Sequence, residues 1–118
     1  MEKVVLIVDD SVVSMRHAAD ILRQRYKVAC AKSGETALAY LKTHTPDLIL
    51  LDVKMPDMDG FAVDRALKSD PSTKDIPVIF VTGLDDDESR GALGERVLTK
   101  PVIPQTLLDA AEEVLGSC

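Results

Sequence analysis

Residues Asp47 to Gly60 read DLILLDVKMPDMDG, and the way that stretch divides decides the fold. Leu48, Ile49, Leu50 and Leu51 form an unbroken apolar run, the pattern of a strand covered on both faces in a parallel sheet rather than one alternating between core and solvent. The run ends in a carboxylate, Asp52, and then Pro56 and Gly60 break any periodicity and force a loop. Asp52 is therefore expected at the mouth of a core strand. In open α/β sheets, ligands bind in the crevice beyond the carboxyl ends of the strands, so an acid there is a candidate for chemistry.

Working outward, the same pattern recurs. Lys3 to Val8 (KVVLIV) is an aliphatic, β-branched run that predicts a first buried strand, ending abruptly at Asp9, Asp10 and Ser11. From Ser11 towards Gln24, Val12, Met15, Ala19 and Leu22 recur at helical spacing, which predicts a helix with those residues inward. Lys27 to Ala31 predicts a second strand, and Ser33-Gly34 a turn and cap before a helix carrying Ala37, Leu38 and Leu41. Beyond Gly60, Phe61 to Lys68 predicts a helix with Val63, Ala66 and Leu67 inward, stopped by Asp70-Pro71-Ser72. Val78 to Val81 predicts a fourth buried strand with its exit at Thr82-Gly83. Between Leu84 and Arg96 the acidic run Asp85 to Glu88 favours a helix N-terminus, yet Gly91 and Gly94 each cost about 1 kcal/mol inside a helix, so a short or irregular fourth helix is expected. Val97-Leu98 predicts a brief fifth strand before Lys100-Pro101, and Pro104 opens a last helix with Leu107, Leu108, Ala111, Val114 and Leu115 as its apolar stripe. Strands separated by helical segments imply right-handed crossovers and a mostly parallel sheet with helices on both faces.

Composition narrows the classes. At 118 residues the chain is expected to be one domain, 1–118, large enough for a core without disulfide or metal staples. With 46% hydrophobic but only 3% aromatic residues, that core must be aliphatic, and no apolar run has the length of a membrane span. The first apolar run is too short for a signal peptide, which predicts a cytoplasmic protein. Cys30 is expected as a packed thiol and Cys118 as a tail thiol. A net charge of -6 disfavours direct nucleic-acid binding and anionic membranes and is compatible with holding a cation.

Asp9, Asp10, Asp52, Thr82 and Lys100 all fall just after predicted strands, and a parallel sheet brings those strand ends to one edge. Singly, each has a commoner role: Asp10 before Ser11 as a helix cap, Asp52 as a turn former, Thr82 on a loop carbonyl, Lys100 as a solvated charge. Their coincidence at one edge reverses those odds. Three carboxylates repel unless a cation sits among them, and magnesium takes hard oxygen ligands and partners phosphate oxygens. Lys100 could meet one phosphoryl oxygen and Thr82 another. Carboxylates, metal, ammonium and hydroxyl together describe phosphoryl transfer to an aspartate. His17 and His44 are expected at the surface, and Met55, Met58 and Phe61 in packing roles.

Through VDD at 8–10, LLDVKMPDMDG at 50–60, PVIFVTG at 77–83 and LTKP at 98–101, the chain resembles the receiver domain of bacterial two-component response regulators along essentially its whole length. The resemblance implies a flavodoxin-like doubly wound sheet of five strands in the order 2-1-3-4-5, the order in which receivers of the CheY type and flavodoxin are built. It implies Asp52 as the phosphoacceptor, a magnesium ion held by Asp9, Asp10, Asp52 and the backbone carbonyl of Lys54, and Thr82 and Lys100 against the phosphoryl group. It also implies a histidine kinase or histidine phosphotransfer protein as donor, an unidentified downstream protein target, and a phosphoprotein that modifies itself rather than an enzyme with a separate substrate. Two departures stand out: Val97 occupies the place of the family's switch aromatic, and the Thr82 to Lys100 spacing is short. Lys54 and Leu84 stand where the family's side chains influence attack by water, and leucine cannot orient one, so slow self-dephosphorylation is expected. The departures keep open a pseudo-receiver that binds protein without being phosphorylated. A haloacid-dehalogenase-like phosphatase fits less well, since Lys54 stands where its second acid is needed. An FMN-binding flavodoxin is also poor, because Asp9-Asp10-Ser11 is not a neutral phosphate loop.

Overall fold

The computed structural model describes residues 3–53, 55, 58–82, 97–99 and 103–115. The strands are β1 (Val4–Val8), β2 (Lys27–Ala31), β3 (Leu48–Asp52), β4 (Val78–Thr82) and β5 (Val97–Thr99). The helices are α1 (Val12–Leu22), α2 (Gly34–Leu41), α3 (Gly60–Ser69) and, numbered in order among the described residues, α4 (Pro104–Leu115). The short or irregular helix expected over 84–96 lies outside the described residues. All five strands pair in parallel in the order β2-β1-β3-β4-β5, the flavodoxin-like doubly wound arrangement expected.

The unbroken apolar runs are explained by burial on both faces. Along β1, Val5 and Ile7 pack with α1 and α4, whereas Leu6 and Val8 pack with α2 and α3. β3 repeats this, with Leu48 and Leu50 on the first side and Ile49 and Leu51 on the second. All five residues of β3 and of β4 are buried. Removing one such side chain, as in Leu51→Ala, costs about 2 to 5 kcal/mol through lost transfer energy and the cavity left behind. The first three helices each start on a capped turn that the sequence supplies. Ser11, Ser33 and Asp59 accept hydrogen bonds through their side chains from the N–H of Ser14, Thr36 and Ala62.

Two expectations need correction. Cys30 is exposed rather than packed, because the strand order places β2 at the edge of the sheet. Partial burial of its side chain pushes the thiol above the usual range, with Arg23 opposing. Val12 is 44% exposed, although its spacing matches the buried Met15, Ala19 and Leu22. It is the first residue of α1, at the carboxyl end of the sheet, where the helix starts past the last residue of β1. Met55 is buried, Met58 and Phe61 pack against the same cluster, and Phe61 tilts against Phe80 at 6.4 Å between ring centroids. His17 and His44 lie at the surface as expected. Among the described residues, no helix is long and apolar enough to cross a membrane.

Candidate functional site: an acidic pocket at the sheet edge

Register decides what meets at the carboxyl edge. Val8 of β1 pairs with Leu51 of β3, so the next residues, Asp9 and Asp52, leave neighbouring strands level with each other. Strand alternation turns both to the α1 side, since Ile7 and Leu50, two residues earlier, pack there. Asp10 follows from the same turn. Carboxylate oxygens of Asp9, Asp10 and Asp52 lie within 4.8 Å of one another. Asp9 and Asp52 are buried, at 5% and 4% exposure, while Asp10 is open to solvent.

Several backbone contacts set this geometry. The Asp9 N–H donates to the carbonyl of Ala31 at 3.1 Å, and the Asp9 carboxylate accepts the Ser11 N–H at 2.9 Å. Ser11, not Asp10, caps α1, so Asp10 is not consumed by the capping role open to it from sequence. On the other strand, the Val53 N–H donates to Val81 at 3.0 Å and the Val53 carbonyl accepts the Gly60 N–H at 2.9 Å. Gly60 is required there: a Cβ would stand 2.5 Å from the Asp52 carbonyl oxygen and 2.9 Å from the Val53 Cα. The start of α3 is thus pressed against the backbone that carries Asp52.

Two buried carboxylates at this separation repel by about 3 kcal/mol if both are ionised in a medium of effective dielectric near 20. A divalent cation relieves that repulsion, and the donors are all hard oxygens, two fixed in the protein and one facing water, which suits an ion that keeps part of its hydration. Thr82 is fully buried as the last residue of β4, one position beyond Val81, the partner of Asp52 across the sheet. Lys54 and Lys100 lie outside the described residues. The structure therefore brings Asp9, Asp10 and Asp52 together and sets Thr82 at the end of the adjoining strand.

Sequence reading missed Ser14. It is half-buried on α1 and lines a cavity of about 10 Å³ together with Asp9 and Asp52. Its position four residues before Ala18, which is buried, was the available signal that it lies on the inner side of the helix.

Comparison with known proteins matches residues 5–112 to the response regulator receiver domain. Response regulator PleD of Caulobacter vibrioides is 45% identical over 103 residues, covering 83% of this chain but 23% of PleD. This chain thus spans about a quarter of the length of the first curated relatives it matches. Protein PilH of Pseudomonas aeruginosa is 38% identical over 118 residues, covering 95% of this chain and 97% of PilH. Among solved structures, the signal receiver domain of a signal transduction histidine kinase from Syntrophus aciditrophicus superposes with a TM-score of 0.86 at 35% identity, covering 96% of this chain and 89% of that one. With the sheet order, the acid-bearing strand ends and these likenesses in agreement, the chain belongs to the response regulator receiver domain family.

Proposed function

We propose that the chain acts as one phosphoacceptor domain of a two-component system in the cytoplasm, taking a phosphoryl group from a phosphohistidine onto Asp52 and relaying the change to a protein target. The observation that carries this reading is the convergence of Asp9, Asp10 and Asp52, with Asp52 buried at the end of a core strand. A carboxylate oxygen of Asp52 forms the new bond to phosphorus as the phosphorus–nitrogen bond of the donor breaks, and the imidazole leaves with the electron pair and takes up a proton. Asp9, Asp10, Asp52 and the Lys54 carbonyl would hold magnesium, which when bound supplies positive charge against the phosphoryl oxygens. Lys100 pairs with one of those oxygens and Thr82 donates its hydroxyl to another. The chain modifies itself and needs no separate substrate pocket.

The surface around the acids suits a protein donor. Val12, Val13 and Ile103 are the exposed large hydrophobics among the described residues, and Val13 is 81% exposed. The first two open α1 and the third precedes α4, so all three rim the edge of the sheet that carries the acids. Placing a charge there, as in Val13→Lys, should slow transfer from a phosphohistidine protein more than transfer from acetyl phosphate.

Incubation with acetyl phosphate and magnesium, followed by intact mass measurement, tests the main reading. The wild type should gain the mass of one phosphoryl group and Asp52→Ala should not. No gain in the wild type, with a purified cognate kinase also inactive, would leave the pseudo-receiver as the better reading.

A further inference from the structure

We propose that Ser14 is a positioning residue of the acidic pocket: its hydroxyl and the carboxylates of Asp9 and Asp52 together hold one water molecule, which braces the two acids for the cation. The inference deepens the proposed function and rests on it for the cation. It starts from the cavity of about 10 Å³ beneath the acids, near the lower bound of room for a single water. Leu50, Ala18 and Val81 give it apolar walls, and among the described residues the polar ones that line it are Asp9, Asp52 and Ser14. A water needs two to four polar partners to be retained in such a space. Among the described residues this one has three, and their chemistry divides correctly. The water donates one hydrogen to each carboxylate and accepts the Ser14 hydroxyl proton, so no donor meets a donor.

The arrangement answers a difficulty at the pocket. Asp9 is fastened on one side by the Ser11 N–H at 2.9 Å, and Asp52 is carried on a backbone held by Val81 and Gly60. A bridging water links the two carboxylates through their shared hydrogen-bond donor and lowers their repulsion before any cation arrives. Ser14 sits one turn into α1, whose start is fixed by the Ser11 cap, so its hydroxyl is delivered by a rigid element. The expected consequence is a tighter cation site than the same carboxylates would form without the bridging water.

Three variants test this, with magnesium affinity read from amide chemical shifts and bound water read from water–amide cross-relaxation in the metal-free protein. Ser14→Val fills the cavity and removes the hydroxyl, and should weaken magnesium binding about fivefold, the worth of roughly one hydrogen bond. Ser14→Ala should fall in the same direction, and Ser14→Thr, which keeps the hydroxyl, should stay near wild type. Long-lived water should be seen next to Asp9 and Ser14 in the wild type and vanish in Ser14→Val. Unchanged magnesium affinity in both the Val and Ala variants, or no such water in the wild type, would overturn the proposal. If the wild type bound no magnesium at all, the phosphoacceptor reading would fail, while the water measurement would still decide the role of Ser14.

Discussion

β3 has an aspartate at each end, and the two do opposite work. Just before its start, Asp47 serves structure: its carboxylate accepts the Val4 N–H at 2.8 Å, and its own N–H donates to the Val4 carbonyl at 2.8 Å, fastening β3 to β1. At its end, Asp52 meets Asp9 and Asp10 from the same neighbouring strand, and the acids crowd to within 4.8 Å. The same pair of strands thus has one edge where a carboxylate closes a backbone pairing between the strands and one where three carboxylates converge, although Asp9 there also accepts the Ser11 N–H. Charge on this chain is therefore not generically stabilising. Asp47 adds stability through the Val4 N–H, whereas the proximity of Asp9, Asp10 and Asp52 adds mutual repulsion that a cation can reduce.

The comparison can be broken by substitution, and the largest effect is expected where the crowded edge is supported. Gly60→Ala drives a Cβ into the Asp52 carbonyl and should cost about 3 kcal/mol, with a lower yield of phosphorylated protein, as measured by denaturant melts and intact mass. Asp47→Ala should cost about 2 kcal/mol, because it removes a charged acceptor and leaves the Val4 N–H without its partner. Asp52→Asn should do the reverse in metal-free buffer, raising stability by about 1 kcal/mol as one clustered charge is lost. A fall in its melting temperature as large as that of Asp47→Ala would erase the distinction between the two edges.

The smallest effect concerns pH at a third acid. Backbone and side-chain hydrogen bonds from Ser72 hold the Asp70 carboxyl below its usual range. A lowered folded-state value means that its contribution is present above the ordinary carboxylate range and is lost as pH falls through the folded value. The melting difference between wild type and Asp70→Ala should therefore be visible at about pH 7 and shrink on acidification to about pH 3. A difference that grows on acidification would contradict the assignment.

The division into strands and helices was legible because both faces of the central strands are covered. That produces continuous runs such as LILL and VIFV, which no solvent-facing strand would carry. The acidic pocket was legible for a related reason, since parallel strands must end on one edge and the acids directly follow their runs. What stayed hidden depends on neighbours in space. The run around Cys30 reads as a strand like the others, but it lies at the edge of the sheet and its thiol is exposed. Val12 keeps helical phase with buried residues, yet phase does not reveal that the helix starts past the last residue of its strand. The contact of Gly60 with Asp52 joins residues eight positions apart through a loop, and Ser14 reaches the acids only because α1 folds back over β1.

A magnesium titration followed residue by residue through amide chemical shifts tests the contrast between the two edges most directly. Shifts should concentrate at Asp9, Asp10, Ser11, Asp52 and Val53, saturate as a single site and disappear in Asp52→Asn, while Val4 and Asp47 stay still. Absent shifts at the carboxyl edge, or shifts of equal size at Val4 and Asp47, would contradict the account.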